Sequence, residues 1–178
     1  MLAARLAYVI GVGTMLRRQD QSRWFTERYG VEGGFRKFRR IASTIMDLDG
    51  LVFIAVCILT RGTLGTPWPV ALRVAIGGVA IVIGAGVKLW ARRTLGPDAY
   101  YWRNFFAPGE HRVSEPSGPY KYLDNPMYTI GYLPTYGLAL VVDSAAGLGL
   151  ALFMQIAVLV FYWIVERPHF KALSGRGK

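Results

Sequence analysis

The residues best equipped for chemistry fall in one run, Gly118-Pro119-Tyr120-Lys121-Tyr122-Leu123-Asp124-Asn125-Pro126-Met127-Tyr128. A lysine, an aspartate and an asparagine sit there among three tyrosines and two prolines, between hydrophobic stretches. Polar and aromatic groups so dense beside apolar runs point to a binding or reaction site at the headgroup level of a membrane. Gly118-Pro119 is a strong turn signal. Pro126 biases Asn125 away from helical backbone and is expected to open a helix. Asp124 and Asn125 suit a cap on that helix. Tyr120, Tyr122 and Tyr128 have no part in a cap, so a functional role stands beside the structural one.

A second chemical group is Glu166, which follows a long apolar run and precedes Arg167-Pro168-His169-Phe170. A carboxylate at the edge of a membrane helix is costly and usually has a use; the plain alternative is a surface ion pair with Arg167 or Lys171. The two histidines, His111 and His169, lie in no zinc spacing, and no metal is expected. No phosphate loop, serine nucleophile elbow or paired-carboxylate hydrolase pattern is recognisable. Gly84-Ala85-Gly86 is not a dinucleotide fingerprint, because no strand and tight turn precede it. Together with Gly77 and Gly78, these glycines read either as close helix packing or as room for a flat ligand.

The elements that must position these groups are apolar. The chain has 178 residues, 53% of them hydrophobic and 18% charged, against about 25% charged in soluble domains. A spanning helix takes about 20 largely apolar residues. Five segments approach that: Leu2 to Leu16, Ile41 to Leu59, Val70 to Trp90, Tyr128 to Val142 and Gly147 to Val165. The first is weakened by Arg5, the second carries Asp47 and Asp49, and the fourth is short. The N-terminal segment reads as a retained membrane segment rather than a signal peptide, because Arg17 and Arg18 stand where a small-residue cleavage site would be. Cys57, the single cysteine, lies in an apolar run and leaves no internal disulfide.

The net charge of +10 could suggest a nucleic-acid partner, but basic residues for that purpose sit on a polar exposed face. An anionic inner leaflet fits better. Arg17 to Arg40, Arg92 to Lys121 and Arg167 to Lys178 carry most of the cations, whereas the two other connections carry Arg61 alone and none beside Asp143. The positive-inside rule then puts all three basic regions in the cytoplasm. The expected fold is an all-α integral membrane protein of four to five transmembrane helices, with an interfacial active-site segment facing the cytoplasm, in a bacterial inner membrane. Five crossings have the N-terminus outside; in the four-crossing version the first segment lies in the interface. Pro97 to Phe106 reads as an amphipathic cover over the site. The whole, 1–178, reads as one domain, and a homo-oligomer is neither indicated nor excluded.

Leu123-Asp124-Asn125-Pro126-Met127-Tyr128, then Tyr136-Gly137, then Glu166-x-Pro168, with Gly84-x-Gly86 ahead of them, closely resemble the small integral-membrane phospholipid methyltransferases. The phosphatidylethanolamine N-methyltransferases are the nearest resemblance, and the isoprenylcysteine carboxyl methyltransferases a more distant one. The resemblance covers roughly 81–173, the expected cofactor-binding and catalytic core. It implies S-adenosyl-L-methionine as cofactor and a membrane phospholipid as substrate, N-methylated toward phosphatidylcholine. Carried over, Gly84, Gly86, Tyr122, Asn125, Pro126, Tyr128 and Glu166 would hold the cofactor. Tyr120, Lys121 and Arg92 would meet the lipid, and Asp124, Glu115 and His111 are candidate acceptors of the amine proton. Many family members carry two adjacent glutamates, and Arg167 stands here at the second. Asn125, where the carboxyl methyltransferases have histidine, favours an amine acceptor. A carboxyl or thiol methyltransferase, a non-catalytic lipid binder and a nicotinamide-dependent membrane reductase remain as alternatives.

Overall fold

The structure, a computed structural model, describes residues 1–107 and 117–175. The described residues form an all-α, largely membrane-embedded bundle. Helix α1 (Leu2–Leu6) runs through a π-helical stretch (Ala7–Val12) into α2 (Gly13–Ser22). Arg23, at φ 50°, turns the chain into α3 (Trp24–Leu59). Within α3, Gly30 at φ 69° and ψ 170° interrupts the helical backbone. After a loop, α4 (Val70–Leu95) returns; short 3₁₀ turns follow within 99–105 and again within 118–132, ahead of α5 (Leu133–Val141). Then α6 (Ala145–Phe161) continues through a π-helical turn (Tyr162–Glu166) into α7 (Arg167–Gly175).

Among the described residues, three helical stretches are long and apolar enough to cross a membrane: Trp24–Leu59, Val70–Leu95 and Ala145–Leu173. This corrects the expectation of four to five such helices. The segment from Tyr128 to Val142 contains only nine α-helical residues, α5, about 14 Å at 1.5 Å per residue. Pro126 therefore does not open the helix. Residues 126–132 are held instead by a turn in which Gly131 N–H donates to the Pro126 carbonyl at 2.8 Å and Tyr132 N–H to Thr129 at 3.0 Å. Apolar composition runs on through that turn, but the backbone does not. The first segment, Leu2 to Leu16, is helical but too short to qualify before Arg17 and Arg18, and within it Arg5 is buried, paired at 2.7 Å with Asp49 of α3.

Small residues set the closest helix contact, between α4 and α5. A Cβ on Gly77 would lie 2.7 Å from the Gly137 carbonyl, and one on Gly137 would lie 2.4 Å from the Gly77 carbonyl. Backbones that close need glycine, as is common where membrane helices pack. At one end of the bundle the Arg73–Asp143 ion pair, 2.6 Å, ties α4 to the α5–α6 connection. At the other end an aromatic core gathers α2, α3, α6 and the 99–107 segment. Phe38 lies 5.2 Å from Phe106 and 6.2 Å from Trp102, and Trp102 lies 5.7 Å from Phe161, centroid to centroid. Pro97 to Phe106 is thus partly core: Trp102, Phe105 and Phe106 are all buried.

Candidate active site

Glu166 ends the π-helical turn and is only 6% exposed. A π turn is frequent at functional sites, because the extra residue re-aims the side chains around it. Its carboxylate takes two hydrogen bonds on one oxygen: Trp102 Nε1–H donates to Oε1 at 2.9 Å and the Tyr128 hydroxyl at 2.7 Å. Oε2 accepts none among the described residues. Arg167, where a second glutamate would stand in the family pattern, sits instead over the Trp163 ring at 3.8 Å. The surface pair with Arg167 or Lys171 does not form.

Both donors are built by local structure. Trp102 has φ 59°, a left-handed conformation that a bulky residue rarely adopts. The two 3₁₀ turns on either side (Ala99–Tyr101, Arg103–Phe105) and the packing against Phe38 and Phe161 hold it there. Arg103, next in the chain, forks onto Glu32 of α3: one nitrogen donates at 3.1 Å and the other forms a closer contact. Tyr128 is set by Asn125, whose Oδ1 accepts the Tyr128 N–H at 3.1 Å and whose carbonyl accepts Thr129 N–H at 3.2 Å. From α6, Gln155 Nε2 donates to the carbonyls of Tyr128 and Thr129 at 3.1 and 3.3 Å, while its Oε1 accepts the Tyr136 hydroxyl at 2.7 Å. The single amide of that apolar run therefore satisfies the carbonyls freed where the helix fails to form.

A cavity of about 170 Å³ adjoins these donors. Trp102 and Tyr128 line it, with Tyr8 from the N-terminal helix, Asp49 from α3, Lys88 from α4, and Tyr132 and Thr135 from the 130–135 segment. Tyr120, on the 118–121 turn, carries a buried hydroxyl with no hydrogen-bond partner among the described residues. Burial first, then the Glu166 charge, pushes that phenol's pKa up, so it is a neutral O–H donor. The turn itself requires Gly118: φ is +55°, and a Cβ would meet Thr94 Oγ1 at 2.4 Å and Trp90 Nε1 at 3.0 Å.

The other expected residues are distributed unevenly. Asn125 and Pro126 are buried in the turn beneath Tyr128. Tyr122 is 79% exposed and turned away from the cluster. Lys121 and Asp124 are also exposed. Arg92 is exposed, with its guanidinium 5.4 Å from the Tyr100 ring, itself on the cavity wall. Gly84 does not line the cavity; a Cβ there would meet Pro134 Cδ at 2.3 Å and the Ile130 carbonyl at 2.9 Å. Gly86 faces open space, with nothing within 4 Å of such a Cβ. His111 and Glu115 lie outside the described residues. His169 is buried, stacked on Phe105 at 3.7 Å, with Nδ1 2.8 Å from Asp20 Oδ1.

Sequence reasoning did not single out Trp102, Gln155, Lys88 or the Arg5–Asp49 pair. Gln155 had a signal, as the lone amide in an apolar run. Trp102 had none beyond belonging to an aromatic segment.

The family model described as Phospholipid methyltransferase matches residues 72–176. Among curated proteins, the chain is 31% identical over 135 residues to a phosphatidylethanolamine N-methyltransferase of Pyricularia oryzae, covering 74% of this chain and 14% of that protein. It is 30% identical over 148 residues to one of Clavispora lusitaniae (78% and 17%) and 28% identical over 180 residues to one of Aspergillus niger (97% and 16%). The chain thus spans less than a fifth of the length of these relatives. No solved structure matches it.

Proposed function

This chain belongs to the phospholipid methyltransferase family, and we propose that it N-methylates phosphatidylethanolamine, its mono- and dimethyl derivatives, or both, with S-adenosyl-L-methionine as methyl donor. The observation that carries this reading is the buried Glu166 carboxylate, held by Trp102 and by Tyr128 of the Asn125-Pro126 turn beside a mainly apolar cavity walled by aromatic rings.

The residues present fit such a cofactor. Glu166 Oε2, which accepts no hydrogen bond among the described residues, could accept from an amino or ribose hydroxyl group. The Tyr120 hydroxyl, without a partner among the described residues, could donate, although both residues stand behind the cavity lining rather than on it. Trp102, Tyr128 and Tyr132 offer aromatic walls suited to a cation. When bound, the cofactor supplies a sulfonium methyl group for in-line transfer to a neutral amine. The chain's part is to orient and to exclude water; bringing reactants into line can itself be worth about 7–11 kcal/mol of the barrier. Trp102 and Tyr128 fix the Glu166 carboxylate, and Gln155 fixes the turn that carries Tyr128. Of the candidate proton acceptors, Asp124 sits exposed beside that turn, where it can pass a proton to water.

In this reading, residues 81–173 carry the cofactor site within one unit of 1–178, and Tyr8 and Asp49 add walls from outside that range. The basic end, with residues 96–107 and 117–129, faces the cytoplasm, as the distribution of Lys and Arg favours.

Purified protein incubated with labelled S-adenosylmethionine and defined lipids should place label on aminolipids. Label on no aminolipid would sink the proposal. Preferential label on a prenylated cysteine carboxyl would select the carboxyl methyltransferase alternative.

A further inference from the structure

The cavity beside Glu166 holds a second polar constellation, set against the first by Trp102 and Tyr128. Its walls carry two cations, Arg5 and Lys88, and one carboxylate, Asp49. Arg5 is 2% exposed and Asp49 4%. Their ion pair uses Nη2 and Oδ2 only. Arg5 Nε and Nη1 and Asp49 Oδ1 are buried without a hydrogen bond of good geometry among the described residues, the Arg5 guanidinium otherwise resting 5.1 Å from the Tyr8 ring and near Tyr132. A pair serving only to pin the N-terminal helix to α3 would gain from satisfying those atoms, since an unmet charged group in the interior is costly. Ionisable residues at this depth mark substrate paths more often than structure.

Lys88 has no ion pair or hydrogen bond among the described residues. Its stem packs on Gly131, 3.7 Å from the position a Cβ would take there. It lies seven residues before the end of α4 at Leu95, about 10 Å inside the basic end at 1.5 Å per residue. Tyr132 and Thr135 line the same cavity. The buried unmet donors belong to Arg5 and the buried unmet acceptor to Asp49, and Lys88, exposed yet on the cavity lining, adds a second cation. The complementary ligand carries an anion with several oxygens and, a short reach away, an amine.

We propose that Arg5, Lys88 and Asp49 form the subsite for the zwitterionic aminophospholipid headgroup, with Arg5 and Lys88 on the phosphodiester and Asp49 on the amine. The assignment rests on the methyltransferase reading for its substrate class, and it replaces Lys121 and Arg92, neither of which lines the cavity, as the phosphate partners. The amino-acid end of the cofactor offers the same pairing of anion and amine, so the test must separate the two ligands.

Dihexanoyl phosphatidylethanolamine, titrated by calorimetry into the full chain in detergent without cofactor, reads the subsite directly. Two variants keep the Asp49 carboxylate paired: Lys88→Met, and Arg5→Lys, which retains the charge but loses the forked donors. Each should weaken lipid binding about tenfold or more, the loss expected for one charge-assisted hydrogen bond. Dihexanoyl phosphatidylmethanol, which has the phosphodiester but no amine, should bind the wild type about tenfold more weakly than the amine lipid does. Cofactor affinity should be unchanged in both variants. Lipid affinity equal to wild type in both variants would overturn the proposal, and so would a loss confined to cofactor affinity. Headgroup binding without methyl transfer to any aminolipid would sink the methyltransferase reading and leave the subsite standing. Transfer with variant-insensitive lipid affinity would do the reverse.

Discussion

Tyr128 and Glu166, 38 positions apart, are joined by a 2.7 Å hydrogen bond in which the phenol donates to Oε1. The bond couples the turn after residue 125 to the last helix, and it shares its acceptor with the Trp102 indole. Hydrogen bonds to a charged group contribute about 1.5–3 kcal/mol. Tyr128→Phe keeps the ring that packs edge-on against Tyr162 at 6.4 Å and removes only the donor. Cofactor affinity measured by calorimetry should fall about tenfold or more, with the helical circular-dichroism signal intact. Unchanged affinity would mean that Trp102 alone orients the carboxylate.

Glu166→Gln tests the carboxylate itself. The amide can still accept from Trp102 and Tyr128, so shape and local packing persist. What disappears is the negative charge offered to an amino or hydroxyl donor. Cofactor affinity should drop by at least about tenfold, in line with one charged hydrogen bond. Yield in the membrane fraction should not fall, because a neutral group is cheaper than a charge within a membrane helix. Equal cofactor affinity would remove Glu166 from the cofactor cradle.

These two residues illustrate what a sequence exposes. Glu166 stood out because a carboxylate ending an apolar run has no cheap explanation, and Tyr128 because it sat in a dense polar block. The long helices were legible for the same reason: apolar length is additive along the chain. Trp102 was not, since its role depends on a positive φ and on contact with a residue 64 positions away. Arg5 and Asp49 each looked like a blemish in an apolar segment, because neither shows its partner in sequence. The stretch 128–132 misled for a physical reason: hydropathy counts side chains, while a capped turn and a glycine break the backbone ladder.

Gly84 and Gly86 look equivalent in sequence and differ in space, which gives a paired test. A Cβ at Gly84 would stand 2.3 Å from Pro134 Cδ and 2.9 Å from Leu133 Cβ, so Gly84→Ala must push the start of α5 away from α4. Overpacking of that kind costs about 1–3 kcal/mol. A Cβ at Gly86 meets nothing within 4 Å, and alanine is the better helix former by about 1 kcal/mol. Thermal unfolding in detergent should therefore show Gly84→Ala destabilised and Gly86→Ala neutral or stabilised. The opposite order would mean that Gly86, rather than Gly84, makes the tight contact.

Gln155 offers the last test, because it links stability to the site. Its amide donates to two carbonyls and accepts one hydroxyl, all within 3.3 Å. Gln155→Leu is close in volume but leaves the Tyr128 and Thr129 carbonyls and the Tyr136 hydroxyl without those partners. Each unmet buried polar group costs about 1–3 kcal/mol, and lipid supplies no replacement. The melting temperature should drop. Because the same carbonyls anchor the turn bearing Tyr128, cofactor affinity should weaken in parallel, although Gln155 lies outside the cavity lining. An unchanged melting temperature would show that water reaches those carbonyls from the cavity. A drop in stability with intact cofactor affinity would show that Tyr128 is held by Asn125 alone.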